Sequence, residues 1–429
     1  MVITFNMPRD VIEVENSKPV AVTRFSGMFR ALSHRNYRLF WTGAFLSNTG
    51  TWMQAVAQGW LVFQLTSSPF WLGLDAFMAT APGIVLTLAG GVFADLLDRR
   101  RLLIYTQIVS GVAALVLGVL VITNVVQVWM ILGLSFVTGS CLSIAGPSYQ
   151  AITFDLVGRE DVANAVALNS AQFQLSRVLG PVFAGLGFKA FNLAGCFFAN
   201  GLSFVAVVTA LAMVRFDPVE GAASLPRARG AFFKDLLDGI RYVRKRPRVS
   251  MLLVISAVTS LFGAPYLSMT PVYARDIFHL GETGLAVMMG VAGAGAFLGA
   301  LILTYLGDFR RKGLTVLGGA FAFGGCLIGF SLSTNLAVSL VFLFSMGLAI
   351  VLSVAVTNTL LQQLVTNEMR GRVMSMFMLS FIGAMPIGNL ITGVASHRFG
   401  VPHTLATGGL IITVFVVIVT LRSARLRDL

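Results

Sequence analysis

Long apolar runs alternate with short charged segments along this chain, and that pattern restricts its fold more than any other feature. A helix needs about twenty apolar residues to cross the hydrocarbon core of a bilayer. Only 11% of the residues are charged and 56% are hydrophobic, so the chain lacks the polar residues to cover a surface in water. The sequence therefore predicts an all-α integral membrane protein with twelve transmembrane helices. The apolar runs lie at residues 38–64, 71–95, 102–123, 128–152, 166–189, 193–214, 249–274, 284–306, 313–332, 336–357, 373–396 and 403–421.

Lysine and arginine collect on one side of the predicted membrane. With a cytoplasmic N-terminus, 27 of the 31 Lys and Arg residues fall in cytoplasmic segments, whereas Lys189, Arg275 and Arg398 lie on the other side. Basic residues are enriched in cytoplasmic loops and attract anionic lipid headgroups. We therefore expect a multi-pass protein of the inner (cytoplasmic) membrane with both termini in the cytoplasm. The net charge of +13 indicates contact with lipid headgroups and not with nucleic acid, because the charges lie between apolar runs.

The chain also divides into two related halves. The segments 156–160 and 364–368 precede helices five and eleven and lie 208 residues apart, and the same offset relates Gly180 to Gly388. Such repeats are typical of secondary transporters, whose substrate site lies near the membrane midplane between the halves. The predicted organisation is a cytoplasmic arm at 1–35, six-helix bundles at 36–214 and 249–421, a cytoplasmic linker at 215–248 and a cytoplasmic tail at 422–429.

Part of the linker is amphipathic. In residues 232–243, Phe233, Leu236, Leu237 and Ile240 recur at helical spacing with basic residues around them. This pattern predicts an interfacial helix on the cytoplasmic leaflet. A flexible tether is the alternative.

A glycine and acid motif lies between helices two and three. Residues 90–101 read Gly-Gly-Val-Phe-Ala-Asp-Leu-Leu-Asp-Arg-Arg-Arg, and a degenerate copy follows at residues 307–312. The motif resembles the helix 2–3 signature of the major facilitator superfamily, although Leu96 and Asp98 depart from the usual pattern. Residues 47–54 in helix one resemble the branch that contains the enterobactin exporter and the macrolide efflux proteins. Residues 168–181 in helix five resemble the same branch.

The resemblance implies that the acid of this motif, Asp95, belongs to a cytoplasmic latch between the halves. The implied pairs join Asp95 to Arg370 or Arg372, and Asp308 to Arg159. Our hypothesis is that these bridges hold an outward-facing state and break when the protein opens inward. A simpler explanation of the motif is that its basic residues only set the orientation of the helices in the membrane. That explanation accounts for the arginines and not for the acids. The predicted latch comprises Gly91, Asp95, Arg99, Arg100, Asp155, Arg159, Asp308, Arg310, Arg370 and Arg372.

Two ionisable residues fall inside predicted membrane helices. Arg177 lies near the centre of helix five, where insertion of an arginine costs about 2.5–3.5 kcal/mol. A functional interpretation is that Arg177 contacts an anionic substrate or takes part in proton coupling with an acid elsewhere. The structural alternative is that Arg177 pairs with Gln150 or Asn169. Asp75 lies in the outer part of helix two. A carboxylate there loses its hydration and takes up a proton more readily than in water, which makes Asp75 a candidate proton carrier. A capping or water-exposed role at the outer mouth is the alternative.

Helix one places polar amides beside aromatic rings. Gln54 and Gln58 are four residues apart and share a helical face. Amides beside aromatic and methionine side chains suit a bulky amphipathic solute, although such residues in membrane helices more often pack against each other or against lipid. The predicted cavity residues are Asn48, Trp52, Gln54, Gln58, Arg177 and Met376.

Helix five carries Gly180, Pro181 and Gly185, which resemble the Gly-Pro-x-x-Gly-Gly element of superfamily antiporters. The proline allows a bend and the small residues allow close packing. Because this element belongs to antiporters, it favours export over uptake. The glycines of helix eight have no strand before them and no Walker lysine after them, so they indicate helix packing and not nucleotide binding.

Together these features predict a proton-coupled secondary exporter of an amphipathic small molecule, a siderophore or a drug, working by alternating access. A lysophospholipid flippase or a solute importer on the same fold is the alternative, and a non-transport membrane scaffold is more remote. The scattered acids and histidines form no catalytic cluster and no metal site, so no enzyme activity and no cofactor are expected. We expect the chain to function as a monomer.

Overall fold

The computed structural model describes residues 29–86, 98–214, 239–307 and 309–422, and of Arg159 only the backbone. The described part is helical almost throughout. A short helix at Arg30–Ser33 precedes the membrane spans. The spans α1 to α12 are Arg35–Thr66, Pro69–Leu86, Arg99–Ile122, Val128–Gly158, 160–191, 193–213, Pro247–Ile277, Gly281–Leu306, Lys312–Leu332, Leu336–Leu364, Asn367–Phe399 and Val401–Arg422.

Ten helical segments among the described residues are long and apolar enough to cross a membrane. One of them, Glu160–Met213, has 54 residues. At 1.5 Å per residue it would be about 80 Å long, far more than a bilayer core of about 30 Å, so it makes two crossings. The left-handed backbone of Asn192 (φ 56°) divides it. Arg35–Thr66 adds the twelfth span, because its 32 residues are long enough although its amides lower its hydropathy. The prediction of twelve helices is thus confirmed.

Specific residues set the ends of several spans. Gly158 separates α4 from α5 with a φ of 69°, a conformation that glycine adopts without steric cost. The Asp98 carboxylate accepts a hydrogen bond from the Arg101 N–H at 2.9 Å and caps α3. The Asn335 side chain accepts from the Val338 N–H at 3.3 Å and caps α10. Polar side chains thus satisfy backbone donors where the chain leaves the apolar region.

The spans form two bundles of six, α1–α6 and α7–α12, which meet along two pairs of helices. On one side α5 packs against α8, and on the other α2 packs against α11. We call the membrane face that carries the start of α1 and the end of α12 the termini face, and the other the opposite face. The contact of α2 with α11 joins Pro69–Thr80 to Ala384–Phe399, the segments nearest the opposite face. The halves are therefore held together mainly in that half of the membrane.

The start of α1 is tied to the start of α5 on the termini face. Arg30 forms salt bridges with Asp161 at 3.0 Å and Glu160 at 3.2 Å. Asp161, which is buried, also lies 2.8 Å from the ring nitrogen of His34. The Ala31 N–H donates to the Asn164 side chain at 2.9 Å. These contacts join the short helix that precedes α1, and with it the start of α1, to the first turn of α5.

The linker prediction falls largely outside the described residues, since 215–238 are not among them. Phe233, Leu236 and Leu237 of the predicted interfacial helix lie in that part. Residues 239–244 are helical, and Val243 is buried.

The close packing of α1 and α5 gives a test of the fold. A Cβ added at Gly180 would meet the Trp52 Cβ, and would lie 2.9 Å from the Met53 nitrogen and 3.0 Å from the Thr49 oxygen. Because two of these atoms are backbone, we expect Gly180→Ala to destabilise the protein by about 1–3 kcal/mol, the usual cost of overpacking. Thermal unfolding followed by size-exclusion chromatography in detergent measures this.

Gly133→Ala is the matched control, because no atom lies within 4 Å of a Cβ at Gly133. Alanine favours a helix by about 1 kcal/mol over glycine, so this variant should match or exceed the parent in stability. Equal melting of the two variants would contradict the close approach of α1 and α5.

Candidate functional site

A cavity of about 390 Å³ lies between the two halves. Its walls come from α1, α2, α3, α4 and α6 of one half and from α7, α8 and α11 of the other. A volume of this size is in the range of sites for small organic molecules. Four of the predicted cavity residues and the predicted proton carrier line it: Asn48, Trp52, Gln54, Gln58 and Asp75.

Asp75 is buried in the wall of this cavity. The Gln58 side-chain amide donates to both of its carboxylate oxygens, at 3.0 and 2.9 Å. The Ser135 hydroxyl of α4 donates to one of them at 2.5 Å. A carboxylate in an apolar medium is stable only when such donors replace its water. Gln58 and Ser135 therefore supply hydrogen bonds to the ionised form of Asp75. A proton on either carboxylate oxygen would change these hydrogen bonds.

A chain of amides leads to Asp75 from α6. The Ser203 hydroxyl donates to the Asn200 backbone carbonyl at 2.7 Å and lies 3.1 Å from the Asn200 side-chain oxygen. The Asn200 amide donates to Gln54 at 2.7 Å, the Gln54 amide donates to Gln58 at 3.4 Å, and Gln58 donates to Asp75. The three amide donors are thus all directed toward the carboxylate. Hydrogen bonds arranged in one direction polarise each other, so the series stabilises the negative charge at its end.

Gly50 makes room for the start of this chain. A Cβ at this position would lie 2.5 Å from the Ser203 hydroxyl and 2.6 Å from the Asn200 side-chain oxygen. The absence of a side chain on α1 here thus lets the polar atoms of α6 approach the amide of Gln54.

Arg177 and Met376, which were also predicted to line the cavity, lie elsewhere. The Arg177 guanidinium is 5.5 Å from the centroid of the Trp52 ring, and its charge lies near Tyr266 of α7. Arg177 is thus placed between the two halves, behind the Trp52 ring that lines the cavity. Met376 lies near the termini face, with its sulfur 3.1 Å from a Cβ built at Gly239. Both residues pack between elements instead of lining the cavity.

The predicted antiporter-like element of α5 lies where helices pack closely. Gly180 touches α1 through Trp52. On the neighbouring face, Pro181 lies 3.8 Å from a Cβ built at Gly290, and a Cβ at Gly185 would lie 3.3 Å from Ala286. The element thus supports the contact of α5 with α8 across the two halves.

The cavity is closed toward the opposite face by α2 and α11. A Cβ at Gly73 would lie 2.5 Å from the Asn389 backbone oxygen and 2.7 Å from the Gly393 Cα. The backbones of the two helices are therefore in direct contact. The Ser68 hydroxyl and the His397 ring, 3.4 Å apart, lie at the outer end of the same contact.

Arg275, at the end of α7, closes the same face against α1. Its guanidinium donates to the Phe63 carbonyl at 3.1 Å and to the Ser67 hydroxyl at 3.2 Å, and it stacks 3.8 Å above the Phe63 ring centroid. Its neighbour Asp276 pairs with it at 2.7 Å. The Arg275 side chain of the C-terminal half thus binds the end of α1 in the N-terminal half.

The halves separate toward the termini face. A second cavity of about 650 Å³ lies there between α4 and α5 of one half and α8 and α10 of the other. Gln150 and Asn169 line one wall, and Leu303 and Thr304 line the facing wall. The Gln174 amide, 3.4 Å from the Ala296 carbonyl, joins α5 to α8 just above this opening. Within the described ranges, the two halves are thus in contact at the opposite face and separated by a cavity at the termini face.

Three residues of the predicted latch, Arg99, Arg100 and Asp155, make contacts within the N-terminal half. Arg99 and Asp155 form a salt bridge at 3.2 Å between α3 and α4. Arg100 donates to the last carbonyls of α6, those of Leu211 at 2.7 Å and Ala212 at 2.5 Å. These contacts brace the N-terminal bundle.

The other latch residues lie elsewhere or are not described. Arg310 and Arg370 are exposed on the termini face, and Arg372 lies 3.5 Å from the Met369 sulfur. Gly91, Asp95, Asp308 and the side chain of Arg159 lie outside the described residues.

Several site residues were not predicted from the sequence. Ser135 and Asn200 complete the surroundings of Asp75, and Arg275 closes the opposite face. A sequence signal was available for two of them: Asn200 is an amide within an apolar run, and Arg275 is one of three basic residues on its side of the predicted membrane. Ser135 gave no signal, because serine is common in membrane helices.

The fold, with its two bundles and a polar cavity at their interface, defines a membrane transporter. The family described as transmembrane secretion effector matches residues 26–428, and the chain belongs to this family of the major facilitator superfamily. Members of the superfamily are transporters and not enzymes, which confirms the prediction of no enzyme activity.

Similar proteins agree with this assignment. The macrolide efflux protein A of Streptococcus pyogenes is 24% identical over 87% of this chain and 94% of its own. The enterobactin exporter EntS of Shigella boydii is 24% identical over 92% of this chain and 94% of its own. The crystal structure of the nucleoside transporter NupG superposes with a TM-score of 0.69 at 12% identity, over 90% of this chain and 98% of its own. These likenesses confirm the predicted superfamily and branch, and NupG confirms the fold.

The grip of Arg275 on α1 gives a test of the closed face. Replacing Arg275 by alanine removes two hydrogen bonds from a charged group, each worth about 1.5–3 kcal/mol, and the contact with the Phe63 ring. We therefore expect the opposite face to open more often. Cys141 lines the cavity, so its accessibility reports the opening of this face. The other cysteines, Cys196 and Cys326, are replaced by alanine for this measurement. Its labelling by a membrane-impermeant thiol reagent from the opposite face should rise by about tenfold, which corresponds to about 1.4 kcal/mol.

Arg398→Ala is the control, because Arg398 is an exposed arginine near the same face. It should leave the labelling rate unchanged. Equal rates in the two variants would mean that Arg275 does not hold the face closed.

Proposed function

We propose that the protein is a proton-coupled exporter of an amphipathic small molecule, a drug or a siderophore, which works by alternating access. The observation that carries this proposal is Asp75: a buried carboxylate in the wall of a cavity between two halves that part at one face only. Such a group exchanges a proton when its surroundings change. The names of the relatives, macrolide efflux protein and enterobactin exporter, support export as the direction.

The orientation follows from the basic residues. Because 27 of the 31 Lys and Arg residues lie on the termini side of the predicted topology, we assign the termini face to the cytoplasm. The conformation is then inward-facing, with the cavity closed to the outside by α2, α11 and Arg275. The chain sits in the inner membrane as a monomer, with its basic segments against anionic headgroups.

In this proposal substrate and proton use the cavity in turn. A substrate enters from the cytoplasm, and the proton on the Asp75 carboxyl leaves to cytoplasmic water. Gln58 and Ser135 then hold the carboxylate by hydrogen bonds. After the protein opens outward, a proton from outside neutralises Asp75 as the substrate leaves, and the protein returns inward. One proton entering thus drives the outward movement of one substrate.

The charged group of the cavity distinguishes this function from that of a lysophospholipid flippase. Most of the lining is apolar and would accommodate an acyl chain as well as a drug, but a flippase has no need of the Asp75 carboxylate, which lies in the same wall as the amides of Asn48, Gln54 and Asn389. The antiporter-like element of α5 argues against a solute importer.

Replacing Asp75 with asparagine tests the proposal. The variant keeps the hydrogen-bonding shape of the side chain and cannot release a proton. We expect proton-driven transport of a fluorescent drug such as ethidium into inside-out vesicles to fall by at least tenfold, and its dependence on pH to vanish. Quenching of ethidium fluorescence after imposing a pH gradient measures both.

Glu282→Gln is the matched control, since Glu282 is a carboxylate at the start of α8 that does not line the cavity. It should transport at the parental rate. Unchanged transport by the Asp75→Asn protein would overturn the proposal.

The latch stays a prediction, because its acids lie outside the described residues. If Asp95 stabilises the outward-facing state, Asp95→Asn should insert into the membrane normally and fail to transport. Insertion is measured by the amount of folded protein in the membrane, and transport by the same vesicle assay. Normal transport by this variant would refute the latch and leave membrane topology as the role of the motif.

A further inference from the structure

The charge of the cavity restricts the molecules that bind there. Among the described residues that line it, Asp75 is the only one with a charged side chain. Arg177, the charged residue of α5 nearest to Trp52, interacts with that ring and with Tyr266 instead. An anion in this cavity would therefore face the carboxylate without a basic partner. Like charges at short range in a medium of low dielectric constant repel strongly.

A second observation concerns Gln107 of α3. Gln107 is one of the residues that line the cavity. Its side-chain oxygen is buried and accepts no hydrogen bond from any described residue. A buried acceptor without a donor costs about 1–3 kcal/mol. The Asp75 carboxylate can also accept further hydrogen bonds. A carboxylate offers about four acceptor positions, and among the contacts described one of its oxygens accepts only from Gln58. The cavity thus presents acceptors that lack donors.

The remaining wall suits an apolar body. Trp52, Leu72, Phe204, Met289 and Met385 supply aromatic, aliphatic and thioether surface from both halves. Methionine and tryptophan adapt to flat organic rings, and an aromatic face attracts a cation.

We infer that the cavity selects an amphipathic organic cation with a protonated amine, and that it discriminates against anionic cargo. The ammonium group lies against Asp75 and donates to the Gln107 oxygen, while the apolar body lies on the aromatic and methionine wall. This inference rests on the proposed function and narrows it, since it favours amine-bearing drugs over anionic siderophores.

Three ligands that share a pyrenylmethyl body and carry polar groups of different charge test the inference: 1-pyrenemethylamine, which is protonated at pH 7, neutral 1-pyrenemethanol and anionic 1-pyreneacetate. Binding to purified protein in detergent is followed by energy transfer from tryptophan to pyrene, without any pH gradient. We expect the ammonium ligand to bind at least tenfold more tightly than the carboxylate, with the alcohol between them. In the Asp75→Asn protein the ratio should fall to within about threefold, and Asp75→Glu should restore it.

A fourth ligand tests the role of Gln107. The trimethylammonium analogue keeps the positive charge and has no N–H to donate. Gln107→Leu should weaken binding of the primary amine by about tenfold and leave that of the trimethylammonium compound within about twofold. Equal losses for both ligands would overturn the assignment of Gln107.

The inference fails if the carboxylate binds as tightly as the ammonium ligand, or if Asp75→Glu loses the preference as fully as Asp75→Asn. The proposed function is judged separately, because these measurements use no gradient. A preference for cations without proton-driven transport would support the assigned binding site and refute the proposal of an exporter. Proton-driven transport of anions would support the exporter and refute the assigned cation site.

Discussion

A carboxylate inside a membrane protein must be supplied with hydrogen bonds by the protein itself, and much of the N-terminal bundle serves this requirement for Asp75. Gln58 and Ser135 donate to it directly, and Asn200 and Gln54 orient Gln58 from α6 through α1. These amides make α1 the span with the weakest apolar signature. The polar network lies on the cavity side, where a bound molecule changes its surroundings. In the proposed mechanism, protonation of Asp75 and binding of the substrate are therefore coupled through shared contacts.

In the proposed transport cycle the same bundle also moves against its partner. At the opposite face the backbones of α2 and α11 touch through Gly73 and Gly393, and Arg275 holds the end of α1. At the termini face a large cavity separates the halves. Contacts of this kind have two arrangements and not a continuous range, because close backbone packing is either made or broken. Small residues and one arginine thus set which face is open.

The fold followed from the sequence, because bilayer thickness fixes the length of an apolar run and basic residues bias its orientation. The site was predicted in part. Asp75, Gln54 and Gln58 stood out as polar groups in apolar runs and lie together. Arg177 stood out equally and lies between the halves, because helical periodicity does not tell a cavity-facing side chain from one packed between helices. Ser135 and Arg275 contribute through contacts across helices far apart in the sequence, which no local pattern records.

The central claim is that substrate binding and a proton compete at Asp75. The most direct test adds a saturating cationic ligand, 1-pyrenemethylamine hydrochloride, to purified protein in weakly buffered detergent solution and follows a pH indicator. The account predicts release of about one proton per chain at a pH where the carboxyl is protonated, and none from the Asp75→Asn protein. Saturable binding without proton release, or equal release from the two proteins, would contradict it.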